Sequence, residues 1–284
     1  MRLTHIGGPT VLVELAGLRL LTDPTFDPAG RSYRFGWGTG SRKLAGPALA
    51  AGDLGPIDAV LLTHDHHEDN LDAAGRALLP SAGVVVTTAS GADRLGGGAR
   101  GLREWETTRI AAPDGTALEI TATPCRHGPR FSRPIVGDVI GFALRPAGAR
   151  RVALWISGDT VLYDGVRAVA DRLVVDVALL HLGGVRFPVT GPVRYTMTAR
   201  EAVALCRDLR PRSRSPCTTR AGSTSARAAP RSSARSPRRR TRSARACDGC
   251  RSARPSRSRA TRHPWANPAG PASPGPSRTP PRRA

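Results

Sequence analysis

After residue 210 the chain contains no Val, Ile, Leu, Met, Phe or Tyr. A segment without those side chains cannot bury enough apolar surface to offset the entropy of ordering it, so residues 211–284 are predicted to be disordered. Any core has to be built from residues 1–210, a length sufficient for one substantial domain. Charge divides at the same place. Residues 211–284 carry 19 Arg, no Lys and a single acid, Asp248, and so supply +18 of the formal net charge of +21. Residues 1–210 are left near +3.

The early apolar run is broken by Glu14 and Arg19, which argues against a signal peptide, and no apolar stretch approaches the ~20 residues of a membrane span. The expected location is cytoplasmic. Five cysteines, an odd number, argue against a disulfide framework.

Within 1–210, "RLTHI", "TVLVEL" and "LRLLTDP" are short β-type runs separated by glycine-bearing turns, as in a meander. "FDPAGRSYRFGWGTGSRKLAGP" reads as a long glycine-rich loop of the kind that covers a site. "IDAVLLTHDHH" is a buried strand running into a polar cluster, followed by the helical "LDAAGRALL" and the strand "GVVVTT". Further strands are predicted at "ALEITATPCRHGP", "DVIGFALRP", "RVALWISGDT" and "VVDVALLHLGG", with helices at "VLYDGVRAVADRL" and "TAREAVALCRDL". Strands dominate the start and helices are interleaved later, which predicts two sheets with helices outside them.

"THDHHEDNLD" gathers His64, His66, His67, Glu68, Asp69 and Asp72 at a strand's C-terminal end, including three of the chain's seven histidines. Imidazole and carboxylate are ligands for divalent metals, and an H-x-H pair in extended backbone points two imidazoles to one side. His127 in "TPCRHGP" and Asp159 in "SGDT" each follow another predicted strand.

In this order the residues resemble the metallo-β-lactamase superfamily, in particular its ascorbate-phosphate-lactonase-like and phospholipase-D-like metal-dependent hydrolases. The resemblance covers residues 1 to about 210. It implies an α/β fold, a four-layered αββα sandwich with a metal site, usually dinuclear, on its edge. Here the sandwich is C-terminally incomplete and carries a disordered basic tail. Against the family motif H-x-H-x-D-H, His64 and His66 match the first two positions, His127 the next isolated histidine and Asp159 the bridging aspartate. Asp23 in "TDP" matches an early strand-end aspartate that supports the ligands, and His67 and His181 are expected to line the pocket.

The chain departs from the pattern where Glu68 and Asp69 replace Asp-His, and where no histidine follows the "TAREAV" helix before His263. His64, His66 and His127 would hold zinc with an open fourth position, and Asp159 and Asp69 a second divalent ion, with carboxylates favouring Mn or Fe there. Metal-bound hydroxide would attack an ester, lactone or phosphodiester, with Asp69 or Glu68 taking the proton and Asp159 bridging. The substrate is a small molecule, and Arg126, Arg130 and Arg194 are candidates to hold an anionic one.

The second function class is a nucleic-acid-binding protein acting through the basic tail, by non-specific phosphate contact. Codon structure weighs against selection for that role. Of the 74 residues from 211 to 284, 71 are Arg, Ser, Pro, Ala, Gly, Thr, Cys or Trp, whose codons have G or C in the middle; Asp248, His263 and Asn267 are the exceptions. A one-base slip in a GC-rich gene moves its GC-biased third base into the middle and removes Val, Leu, Ile, Phe and Met together. The expectation is a frame lost near Arg210 to Ser213, and an impaired hydrolase domain at 1–210.

Overall fold

The computed structural model describes residues 1–36, 39–218 and 222–224. All of these fall within one compact unit, Met1–Pro230. The disorder expected for 225–284 concerns residues outside those described.

The three early runs form the predicted meander: β1 (Arg2–Gly7), β2 (Thr10–Leu15) and β3 (Leu18–Thr22) pair antiparallel in sequence order. Beyond β3 the sheet continues in parallel through β6 (Ala59–Leu61), β7 (Val85–Thr88) and β8 (Arg100–Leu102). A second sheet is made of β9 (Thr107–Ala111), β10 (Ala117–Pro124), β11 (Ile140–Pro146), β12 (Val152–Ile156), β13 (Val175–Leu182) and β14 (Ser213–Thr218). Its strands run in chain order across the sheet, antiparallel from β9 to β12 and parallel from β12 to β14.

Alternation along the strands makes the layers. Val11, Val13, Leu18 and Leu20 of the first sheet meet Leu118, Ile120, Phe142, Leu154 and Ile156 of the second in one buried core. The opposite faces bury different partners. Leu12, Leu21 and Val60 pack with Leu71 and with Ala74 of α1 (Ala73–Leu78); the short helices α2 (Ala89–Leu95) and α3 (Arg133–Val136) follow in the chain. Trp155, Ala178 and Leu180 pack against α4 (Asp164–Arg172) and α5 (Ala199–Leu209) through Val166, Val169 and Leu205. The result is helix, sheet, sheet, helix: the αββα sandwich. α5 starts where its sequence dictates, at a capping box in which Thr198 and Glu201 satisfy each other's backbone N–H groups.

Two boundaries differ from the sequence expectation. The glycine-rich stretch expected as a loop contains a hairpin, β4 (Ser32–Gly36) with β5 (Thr39–Lys43). Its anchors are non-local: Tyr33 and Lys43 are buried, and Lys43 Nζ lies 3.0 Å from Asp72 Oδ2. The pairing also passes residue 210. β14 adds parallel to β13 with Cys217 opposite His181, and β15 (Gly222–Thr224) adds antiparallel to β5. Strand addition uses only backbone N–H and C=O, so an open sheet edge accepts a segment whose sequence has no Val, Ile, Leu, Phe or Tyr. Among the described residues no helix is long and apolar enough to cross a membrane.

Candidate active site

The site is built where β6 ends. Thr63 follows the buried strand and is tied to Asp23, whose Oδ1 accepts from the Thr63 amide (2.7 Å), the Thr63 hydroxyl (3.0 Å) and Asn70 Nδ2 (3.0 Å). Asp23 is fully buried and sits at φ 33°, in the left-handed region, at the end of β3. One carboxylate thus clamps two adjacent strand ends and the turn that follows.

This clamp sets the protonation of His64. Thr63 Oγ1 commits its only proton to Asp23 and lies 3.0 Å from His64 Nδ1, so Nδ1 is the donor of that contact. His64 Nε2 is left without its proton and, buried, without a hydrogen-bond partner. His127 is fixed in the same sense, because its Nδ1 lies 2.8 Å from the Tyr195 carbonyl, which can only accept. His127 Nε2 then faces His67 Nδ1 at 3.2 Å. One ligand atom from each of His64, His67 and His127 lies within 4.8 Å of the others. Burial holds the His64 imidazole far below its ordinary pKa, helped by the charges of His67 and His127, lowers His127, and takes His67 down to about 3. All three are therefore neutral, as ligands must be.

The carboxylates behave oppositely. Burial pushes Asp69 up to about 7, with the charge of Asp159 adding to it, and burial pushes Asp159 up to about 6. Asp159 Oδ1 is buried with no hydrogen-bond partner. His181 is fully buried with Nε2 3.6 Å from Asp23 Oδ2, and neither ring nitrogen has a hydrogen-bond partner. Burial lowers its pKa, but the Asp23 contact and the charge of Asp159 outweigh that and raise it. Three imidazoles whose ligand atoms converge, one of them with a buried and unpartnered Nε2, fit a divalent cation, as does the imidazole and carboxylate chemistry of the set.

The geometry departs from the expected register by one residue. His66, expected as a ligand, is exposed and turned toward Asp65 (3.4 Å) and Arg94 (3.4 Å), its ring occupying the space a Cβ at Gly137 would fill. His67, expected only to line the pocket, joins the cluster instead. The reason is local: the backbone leaves the strand after Leu61 and turns, with the amides of Asn70 and Leu71 both donating to His67 O at 3.0 Å, so strand alternation no longer assigns sides. Glu68 is exposed, whereas Asp69 is part-buried with Ser41 Oγ 3.5 Å from its Oδ2. Asp23 reaches His64 through Thr63, and Asp72 is structural: it caps α1 and accepts from the amides of Phe26, Asp27 and Gly75.

Sequence reading missed Thr63 and Asn70, although both sit inside the polar run. Of the aromatic flank it missed Phe187 and Tyr195, which come from distant segments, whereas Phe35 lies in the stretch expected to cover a site. The Phe35 ring is 5.2 Å from that of His67, Tyr195 is 5.9 Å from His127, and Phe187 bridges them at 6.1 Å from Phe35 and 5.3 Å from Tyr195.

With fold and site in hand, comparison with known proteins gives the class. Residues 18–217 match the beta-lactamase superfamily domain, and the chain belongs to that family. It is a metal-dependent hydrolase of the metallo-β-lactamase fold. A UPF0173 metal-dependent hydrolase of Opitutus terrae is 32% identical over 222 residues, covering 75% of this chain and 82% of that protein. A second, from Pyrobaculum neutrophilum, is 27% identical over 220 residues, 75% of this chain and 81% of its own. Among solved structures, the isothiocyanate hydrolase from Delia radicum gut bacteria superposes with a TM-score of 0.64 at 22% identity, over 76% of this chain and 84% of that one.

Proposed function

We propose that the domain hydrolyses an ester, lactone or phosphodiester, with zinc held by His64, His67 and His127 and a second divalent ion, zinc, Mn or Fe, held by Asp69 and Asp159. The observation that carries this reading is the pair of fixed tautomers: Thr63 and the Tyr195 carbonyl leave His64 Nε2 and His127 Nε2 as lone-pair donors facing one another's neighbourhood. When bound, the ions supply Lewis acidity toward a carbonyl or phosphoryl oxygen and toward water. The residues do the rest. Asp69 is placed to take up and give back a proton, since its carboxyl, pushed up to about 7, is divided between the ionised and protonated forms at neutral pH. Phe35, Phe187 and Tyr195 exclude water from one flank of the histidines.

The second position is weakened in this chain. The family's last histidine has no counterpart at the end of β14, where Cys217 stands opposite His181. Reduced activity of this 284-residue form follows.

Elemental analysis of the full chain tests the ligand set. His67→Ala is expected to lower bound metal at least about tenfold in affinity, and His66→Ala to leave it within about twofold. Equal loss in both, or in neither, would refute the assignment.

A further inference from the structure

A cleft of about 820 Å³ opens beside His127, which lines it together with Cys125, Arg126 and Tyr163. Three arginines line it, and two are neutralised. Arg133 is ion-paired with Asp138, which also accepts from Ser90 Oγ at 2.6 Å, and Arg103 lies 3.7 Å from Glu106. Arg126 differs. Among the described residues no carboxylate is in ion-pair reach of it, and its Nε is buried without an acceptor. Its guanidinium carbon lies over the Tyr163 ring, 4.2 Å from the centroid, and its backbone is pinned by the amide's bond to Thr160 Oγ1 (3.1 Å) and by the Val161 amide (2.9 Å).

A guanidinium stacked on an aromatic ring, with its Nε buried and unpartnered and no carboxylate in ion-pair reach, suits an oxyanion, which a guanidinium can meet with two parallel N–H groups. Position gives it meaning: Arg126 is the immediate neighbour of His127 in the chain, and both line the same cleft. Part of the remaining wall is apolar, with Leu102, Val136 and Ile140. Resting on the hydrolase reading above, we infer that Arg126 is the specificity residue of the site, binding the carboxylate or phosphoryl terminus of a substrate whose apolar body fills this cleft. Glu104 also lines the cleft, and its charge, like that of Arg126, is felt at Tyr163; it disfavours a dianion and so favours a singly charged terminus.

The test uses the full chain after chelator treatment, so that it reads binding without metal or turnover. 3-Phenylpropanoate and phenylphosphonate are titrated by calorimetry, with inorganic phosphate as the measure of anion binding by the basic tail. At least one aromatic probe is expected to bind more tightly than phosphate, and which of the two wins distinguishes carboxylate from phosphoryl. Arg126→Gln should weaken that probe at least about tenfold while leaving phosphate unchanged, and Glu104→Gln should tighten it. Phenylglyoxal modification of the unsubstituted chain, mapped by peptide mass, should be slowed at Arg126 by the same probe. Probe binding no tighter than phosphate, binding unaltered in Arg126→Gln, or no protection at Arg126 would each overturn the inference. Because no metal is present, none of these outcomes depends on the ligand set; failure of the metal test leaves this one intact.

Discussion

Two of the three clustered imidazoles reach the site with one nitrogen already committed to a fixed partner, and the neighbouring carboxylates with a raised affinity for protons. Those two facts make opposite demands when a cation binds. His64, His67 and His127 are neutral across the physiological range, so they lose no proton on binding. Asp69, at about 7, and Asp159, at about 6, are held protonated by burial below those values and must ionise. The sign follows: at about pH 6 metal binding should release roughly one proton per chain or more, and the release should fall toward zero by about pH 8.5. Calorimetry in buffers of different ionisation enthalpy measures it. A proton count that rises with pH instead would show that the carboxylates are not displaced by the ion. Burial of imidazoles and acids together, which shifts the two in opposite directions, is what the sequence could not disclose, since every one of these residue types is titratable on paper.

At the scale of elements, the hairpin of β4 and β5 brings Phe35 to the histidines, and it is tied down by one buried ion pair. Lys43 and Asp72 are 4% and 0% exposed, and Asp72 also holds the amides of Phe26, Asp27 and Gly75. Removing one partner of a buried pair leaves the other charge without compensation, which costs about 3–5 kcal/mol. Lys43→Ala is therefore expected to lower the urea midpoint markedly, whereas Arg103→Ala, whose partner Glu106 is exposed with it, should change stability by less than about 1 kcal/mol. Comparable losses from the two substitutions would mean that the hairpin is not anchored there. The glycine-rich composition of 26–47 concealed this element, because its pairing partner for Lys43 lies 29 residues further along the chain.

Across the whole molecule, the sandwich places residues 213–218 on the edge of the second sheet and 222–224 on the hairpin, although neither segment has an apolar residue larger than Pro or Cys. From 225 onward the chain carries 16 arginines and one acid. Non-specific binding of DNA is expected at low salt, falling steeply as salt rises and insensitive to sequence, and it should vanish when 225–284 are removed. Sequence-dependent binding that survives moderate salt would favour a selected nucleic-acid arm. The frame reading makes a separate prediction. One base restored near the codons for Arg210 to Ser213 should raise bound metal toward two equivalents and increase soluble yield, as read by elemental analysis. A third-position GC bias that continues in frame through codon 284 would dispose of it.

The sequence by itself determined the meander, the two-sheet layering with helices outside and the chemistry of the polar run, because each is written in local periodicity or in residue type. Val11, Val13, Leu18 and Leu20 face the inner core while Leu12 and Leu21 face α1, as alternation requires. It also determined that no conventional core could continue past residue 210, since composition alone forbids it. Tertiary structure decided which imidazole of the adjacent pair His66 and His67 joins His64 and His127. Alternation would have chosen His66, but alternation holds only while the backbone stays extended. Asp23, 41 residues before His64, clamps Thr63 and Asn70 and bends the chain into a turn at that point, so that His67 swings toward His127 and His66 toward Arg94. A side chain's direction beyond a strand's end is set by such long-range hydrogen bonds, and no local pattern records them.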